Sequence, residues 1–352
     1  MKKIAIDVRE FENGKMTGIG RYLSVFLKNS HKYTRDFSYI LLGDNKTKLP
    51  FPIPNNCIFE IYDYSPVLLW DQLAPLNSYK KHKFDIYFSP YPKRSFLPNC
   101  PSLITVNDMI PYFYPNKIFE KWLFMFSLKI YSKKTKIFTI SEYSKITLQS
   151  FGFNDVFFAY PSLEDDKTIC DKPIDFIESK KYLLSAGDMR KHKNMEFLLS
   201  AYQSFPEEFK KTFPLIVFGL SEKEIKKRYD NILLLGYLND SQIKWLYKNA
   251  LLFIFPSLSE GFGYPPLEAM KEGCPVLSSY KDPMPEILGD CVEYFDPNNK
   301  EDFKNKLLLL TRDLNKMKSL SEKGKKRAEF FTEEKFCEGL INIFTEAIRC
   351  AG

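Results

Sequence analysis

The stretch LLFIFPSLSEGFGYPPLEAM, residues 251–270, carries the organisation of the chain in small. LLFIFP is a short apolar run ended by a proline, which fits a strand buried on both faces. A loop with Gly261 and Gly263 follows, and PPLEAM then reads as the opening of a helix. Pro266 suits the first helical turn, where a missing N–H costs nothing, and Gly273 suits the position just past the helix end. This reading puts Glu268 in the first helical turn. It puts Glu260 ahead of the glycines, with seven residues between the two carboxylates.

The same alternation extends over the chain. IAIDV (4–8), YILLG (39–43), FDIYFS (84–89), SLITV (102–106) and KIFTIS (136–141) read as buried strands, with helical patterns at 19–29 and 143–150 among them. A second series follows: KYLLSAG (181–187), PLIVFG (214–219), NILLLG (231–236), LLFIFP (251–256) and CPVLSS (274–279), interleaved with helical patterns at 194–203, 240–249 and 266–272. Two successive β/α series predict two doubly wound parallel sheets, an α/β fold. The length, 352 residues, also asks for two domains. The polar, aperiodic segment 161–178 suits a linker between them, and 300–349 reads as helical throughout. In such sheets ligands sit beyond the carboxyl ends of the strands, and two facing domains would leave a cleft for one.

Apolar residues make up 44% and charged residues 27%, as in a soluble globular protein. Seven cysteines (57, 100, 170, 274, 291, 337 and 350) are scattered without a C-x-x-C pair, which points to a reducing compartment. The opening MKKIAIDVRE reads as a buried strand rather than a signal peptide, and no apolar run approaches the roughly 18 residues that span a bilayer. A cytoplasmic location is expected. The net charge of +7 suits an anionic ligand or an anionic membrane face and falls short of a case for nucleic acid. Between Lys117 and Lys136 stand six lysines, one glutamate and an apolar set with Trp122, Phe124, Phe126 and Tyr131. That segment is either a core helix with a solvated lysine face or a basic amphipathic surface that rests peripherally on anionic lipid.

Gly261 and Gly263 let backbone N–H groups come close to a ligand, and a helix start favours phosphate. A carboxylate beside such a seat accepts hydrogen bonds from sugar hydroxyls. Glu268 has a plainer reading as a helix-terminal charge, and Glu260 as an ordinary loop carboxylate.

SEGFGYPPLEAM (259–270) closely resembles the E-x7-E motif of the GT-B glycosyltransferases of family 4, retaining enzymes that use nucleotide sugars. TGIGRY (17–22) resembles that family's glycine loop, SAGDMRKHKN (185–194) its strand, loop and Lys-Asn segment, LGYLND (235–240) the stretch near the donor base, and PEILGD (285–290) the stretch after the motif. The resemblance implies a GT-B fold of two Rossmann-like domains facing across a cleft. Residues 1–165 would bind the acceptor, 178–335 the nucleotide sugar, and 336–352 would form a helix packing back towards the first domain. Glu268 would hold the donor ribose and Glu260 the hydroxyls of the transferred sugar. Gly261, Phe262, Gly263, Leu267, Gly236 and Tyr237 would make further donor contacts.

In the basic loop, Lys193 aligns with the family's phosphate-binding lysine. Fixed cations there would stabilise the charge that gathers on a departing diphosphate. Many relatives have an arginine directly after the glycine, where this chain has Asp188, and either Arg190 or His192 would supply that second charge. Gly18 and Gly20 precede a helix opening near Arg21 and would make donor contacts, while Arg21 either faces the diphosphate or acceptor or forms a local salt bridge. TVNDMIPYFYP (105–115) resembles the family's T-V-H-D-x-x-P segment, but Asn107 stands where the family has histidine. Asn forms hydrogen bonds and does not titrate. A front-face displacement, in which the leaving phosphate takes the acceptor proton, needs no protein base, so Asn107 is compatible with activity. Asp108 either caps its loop or binds acceptor hydroxyls.

No D-x-D occurs and the three histidines (31, 82 and 192) lie far apart, so no metal and no cofactor are expected. The implied activity is metal-independent, retaining transfer of a hexose from a nucleotide diphosphate to a glycan or lipid-linked glycan in surface polysaccharide biosynthesis. IDVRE…TGIGRY with NDMIP…YP most resembles members with mannose-type donors. GDP-mannose is therefore expected first, and UDP-sugars or other GDP-sugars next. The alternative is a catalytically weak or inactive GT-B subunit that binds within a glycan-assembly complex. A dinucleotide oxidoreductase is disfavoured, because Leu23 stands where the third glycine of G-x-G-x-x-G belongs.

Overall fold

A computed structural model describes residues 1–13, 17–97, 100–132, 135–163, 170–173, 181–225 and 229–349. The chain divides into two compact units, Met1–Glu164 with Thr332–Gly352, and Asp165–Phe331. Much of the expected linker, 164–169 and 174–178, lies outside the described residues.

The first unit holds seven strands: β1 (Lys2–Asp7), β2 (Phe37–Gly43), β3 (Cys57–Ile61), β4 (Ile86–Ser89), β5 (Ser102–Thr105), β6 (Lys136–Thr139) and β7 (Val156–Phe158). Their order is β3-β2-β1-β4-β5-β6-β7, and every pairing is parallel. The second unit holds β8 (Leu183–Ala186), β9 (Leu215–Phe218), β10 (Ile232–Leu234), β11 (Leu252–Phe255), β12 (Val276–Ser279) and β13 (Glu293–Phe295). They are arranged β10-β9-β8-β11-β12-β13, again all parallel. The central strands are buried along their whole length because helices cover both faces of such a sheet.

In each sheet the order reverses beside the first strand, between β1 and β4 and between β8 and β11. At such a switch point the following helices leave to opposite faces, and the loops between them border a crevice. The switch point places the functional loops.

The structure also revises several sequence expectations. The strands β3, β7 and β13 are additions to that reading: all three are sheet edges, β3 and β13 each carry a glutamate that breaks the apolar pattern, and β7 is only three residues long. The helix Val67–His82 was not anticipated either, since Pro75 stands in its middle. Residues 300–349 form three helices, Lys300–Arg312, Leu314–Ala328 and Glu333–Arg349. The last belongs to the first unit, where Phe344 meets Phe88, Phe26 and Phe37 with ring centroids 5.3, 5.7 and 6.4 Å away. Among the described residues, no helix is long and apolar enough to cross a membrane.

Candidate active site

The loops after β8 and β11 are tied to each other twice. The backbone N–H of Leu258 donates to the carbonyl of His192 at 2.7 Å. Beside that contact, Lys193 Nζ donates to Glu260 Oε1 at 2.8 Å and Oε2 at 3.1 Å. Both side chains are largely shielded, 16% and 12% exposed, so this charge-assisted pair works in a medium poorer in water than the surface. Local geometry delivers Lys193 there. A short 3-10 turn, Lys191–Lys193, ends at Asn194, whose φ of +55° lies in the left-handed region that asparagine tolerates. The helix Met195–Gln203 begins immediately after.

The two groups considered for a second cation differ sharply. His192 is buried, and burial pushes its imidazole pKa down, with Lys193 and Arg190 lowering it further against the pull of Glu260. It is a neutral group at neutral pH and supplies no charge. Arg190 is exposed, but its Nε and Nη2 donate to Asp188 at 2.9 and 2.8 Å. That hydrogen bonding raises the guanidinium pKa, and Glu260 and Tyr237 lie within its electrostatic reach. Burial pushes the Asp188 carboxyl up, yet the bonds from the Arg190 side chain and backbone outweigh it and hold it below its usual range. Asp188 thus anchors an arginine two positions later.

On the β11 side, Gly263 adopts φ +103°, and a Cβ there would stand 2.6 Å from Met284 Cε. Only glycine fits. The helix begins directly after it and spans Tyr264–Lys271, so the expected start near Pro266 is corrected. Pro265 and Pro266 occupy its second and third positions and remove two of the N–H groups a helix start would offer. Glu268 is the fifth residue, beyond the first turn rather than within it. Its Oε2 accepts from the Tyr247 hydroxyl at 3.3 Å. Phe262 and Leu267 are both buried in the core, so any ligand contact there falls to their backbone. The Phe262 ring lies between Tyr264 and Phe331, with centroids 5.2 and 5.4 Å away. Gly236, at φ +62°, accepts from the Gly219 N–H at 2.6 Å and donates to the Leu220 carbonyl at 3.0 Å. Tyr237 beside it is 86% exposed.

In the first unit, Thr17 caps the helix Gly18–Tyr33: its Oγ1 accepts from Ile19 N–H at 3.2 Å and Gly20 N–H at 3.4 Å. The Thr17 hydroxyl donates to Glu10, whose other oxygen accepts from the Tyr91 hydroxyl at 2.8 Å. Gly20 is buried and Arg21 half-buried in that helix. Beyond β5, the Asn107 carbonyl accepts from the hydroxyls of Ser144 at 3.0 Å and Thr139 at 3.4 Å. Asn107 Oδ1, in contrast, is buried with no hydrogen-bond partner, a costly state that a ligand hydroxyl would relieve. Asp108 Oδ1 accepts from the Ile110 N–H at 2.9 Å, which favours its capping role.

Sequence reasoning missed Tyr247, Met284, Glu10 and Tyr91. Tyr247, Met284 and Tyr91 each meet a partner far off in the chain, and Glu10, though close to Thr17, joins it to Tyr91, so no local motif signals them. Among the described residues, no group of three or more His, Cys, Asp and Glu side chains could hold a metal ion.

Residues 166–327 match the family described as glycosyl transferases group 1. Over 174 residues the chain is 33% identical to the O-antigen chain mannosyltransferase B of Escherichia coli, covering 46% of this chain and 45% of that protein. It is 26% identical over 214 residues to the O-antigen chain mannosyltransferase RfbU of Salmonella typhimurium, covering 57% and 58%. The aligned parts therefore span less than three fifths of either curated relative. The structure of sucrose-phosphate synthase from Thermosynechococcus elongatus superposes with a TM-score of 0.75 at 14% identity, covering 99% of this chain and 100% of that one. That likeness speaks for the fold, and the family match for the second unit. Residues 166–327 thus resemble the glycosyl transferases group 1 family, and the chain carries the GT-B fold.

Proposed function

We propose that the chain is a retaining, metal-independent glycosyltransferase. It moves a hexose from a nucleotide diphosphate to a hydroxyl of a glycan or lipid-linked glycan in surface polysaccharide biosynthesis. The observation that carries the reading is the shielded Lys193–Glu260 pair at the switch point of the second sheet. A diphosphate arriving there shares the Lys193 ammonium, and Glu260 turns oxygens towards hydroxyls of the sugar. Glu268, held by Tyr247, receives the ribose. The exposed Arg190 and the backbone N–H groups around Gly261–Gly263 add positive potential where the leaving group gains charge. His192 stays neutral.

In the transfer step the anomeric C–O bond to the diphosphate breaks and a C–O bond to the acceptor oxygen forms on the same face. The acceptor proton passes to the departing phosphate oxygen, so no protein base is consumed. Asn107 fits this scheme as a fixed hydrogen-bonding group whose unpartnered Oδ1 takes a hydroxyl. GDP-mannose is the first donor to test, in keeping with the mannosyltransferase relatives, and UDP-sugars or other GDP-sugars follow. The enzyme would work in the cytoplasm, peripherally at the inner face of a membrane that carries its acceptor.

The test is a panel of nucleotide sugars in the presence of chelator, read by thermal shift and nucleotide release. Stabilisation and turnover with one donor are expected. Stabilisation without turnover of any sugar would assign the chain to the binding-subunit alternative, and an absolute need for a divalent ion would contradict the metal-independent mechanism.

A further inference from the structure

The helix Ile118–Tyr131 is apolar on two faces, and the core accounts for one of them. Leu128 is fully buried, and Phe124, Met125 and Tyr131 pack against the same cluster as Ile104 and Leu148. The other face presents Ile118, Phe119, Trp122, Leu123, Phe126 and Ile130 at the spacings of a single helical stripe. Trp122 is 69% exposed and Phe126 66%. Single exposed apolar residues are ordinary, but a stripe of six on one helix is a patch that marks an interaction surface.

Exposed apolar residues also stand on the helix Val67–His82, which is linked to this one through Phe96. Phe96, 54% exposed, has its ring centroid 6.0 Å from that of Tyr131. Its backbone N–H donates to Gln72 Oε1 at 2.8 Å, and the exposed Leu68 and Leu69 lie one turn before Gln72 in the helix Val67–His82. Cations border the apolar surface. Lys117 and Lys129 are exposed near the two ends of the first helix, Lys121 stands 4.0 Å from the Tyr112 ring, and the Arg94 guanidinium lies 4.7 Å from the Phe96 ring. Glu120 is the one acid within Ile118–Tyr131.

We infer that this face docks the protein on an anionic lipid bilayer, with the helix Ile118–Tyr131 lying in the plane of the interface. Aromatic side chains bury into the boundary between headgroups and acyl chains, while lysines bury their stems and keep their ammonium groups among the headgroups. Charge selects lipid over a second copy of the chain. A two-fold dimer through this face would bring two sets of Lys117, Lys121, Lys129 and Arg94 together, with Glu120 the one acid that each copy of Ile118–Tyr131 contributes against them. Anionic headgroups complement the same cations. The inference rests on the proposed transfer only for what the surface is for, which is access to a lipid-linked acceptor.

The test uses the full chain with phosphatidylcholine vesicles, with and without phosphatidylglycerol, and follows co-sedimentation. Wild type is expected to bind the anionic vesicles, to release them as salt is raised, and to leave neutral vesicles largely unbound. The Trp122→Ser/Phe126→Ser and Lys117→Glu/Lys129→Glu variants should each bind anionic vesicles at least roughly tenfold more weakly. Their circular dichroism and their thermal shift with GDP-mannose should match wild type. Equal sedimentation of wild type and both variants would overturn the inference. So would a wild type that ignores vesicles and instead forms a dimer that Trp122→Ser/Phe126→Ser abolishes. The thermal shift reports donor binding separately, so failure of the donor reading is distinguishable from failure of the docking surface.

Discussion

Lys193 Nζ donates to both carboxylate oxygens of Glu260, at 2.8 and 3.1 Å, and so joins the loops that follow the neighbouring strands β8 and β11. Removing the lysine leaves a shielded carboxylate without its cation. Lys193→Ala should lower turnover roughly 10²–10³-fold, the scale of losing one preorganised charge. It should also cost about 1–3 kcal/mol of stability. The Lys193→Ala/Glu260→Gln double variant should regain part of that stability, because no unpaired charge remains. Denaturant melts of wild type, Lys193→Ala, Glu260→Gln and the double variant give the coupling, and strict additivity would show that the pair is energetically idle.

Glu268 sits past the first turn of its helix and accepts from Tyr247. Glu268→Ala should weaken nucleotide-sugar binding more than it slows the chemical step. Tyr247→Phe, which removes the hydroxyl that orients the carboxylate, should weaken binding in the same direction and by less. Calorimetric titration with the donor, set beside single-turnover rates, separates the two effects. Unchanged affinity in Glu268→Ala would remove it from the donor site.

Gly263 combines a left-handed backbone with a Cβ position occupied by Met284. Gly263→Ala should therefore destabilise the second unit by about 1–3 kcal/mol through backbone strain alone. Shrinking the neighbour in Gly263→Ala/Met284→Ala should not restore the melting temperature, since the strained φ remains. Thermal unfolding of both variants checks this.

His192 has its pKa lowered by burial, so the unfolded chain binds a proton more readily than the folded one. Stability must then rise with pH through the window below the ordinary histidine value of about 6.5 and fall as the medium is acidified through it. His192→Gln, which does not titrate, should show a shallower acid-side loss than wild type in urea melts across that window. The same variant should keep its activity profile near neutral pH, since the imidazole is already uncharged there.

Much of this was legible in the sequence where burial is uniform. LLFIFP and KYLLSAG announce β11 and β8 because both faces of those strands are covered. β3 at CIFEI carries exposed Ile58 and Ile61 beside Glu60, so an edge strand reads as no strand at all. The residue types of the candidate site were legible too, since Glu260, Glu268 and Lys193 stand in recognisable spacing. Their partnerships were not. The Lys193–Glu260 bond depends on β8 lying beside β11, which is a fact of strand order, and the start of the α-helix at Tyr264 depends on the φ of Gly263 rather than on Pro266. The outward face of Ile118–Tyr131 also escaped a single reading, because its apolar residues serve the core on one side and the surface on the other.

The most direct measurement is a structure of the chain with an intact nucleotide sugar. The account predicts the diphosphate against Lys193, a sugar hydroxyl on Glu260 and the ribose on Glu268, all within the second unit's 187–194 and 256–268 segments. A nucleotide seated elsewhere, with the Lys193–Glu260 pair undisturbed, would contradict it.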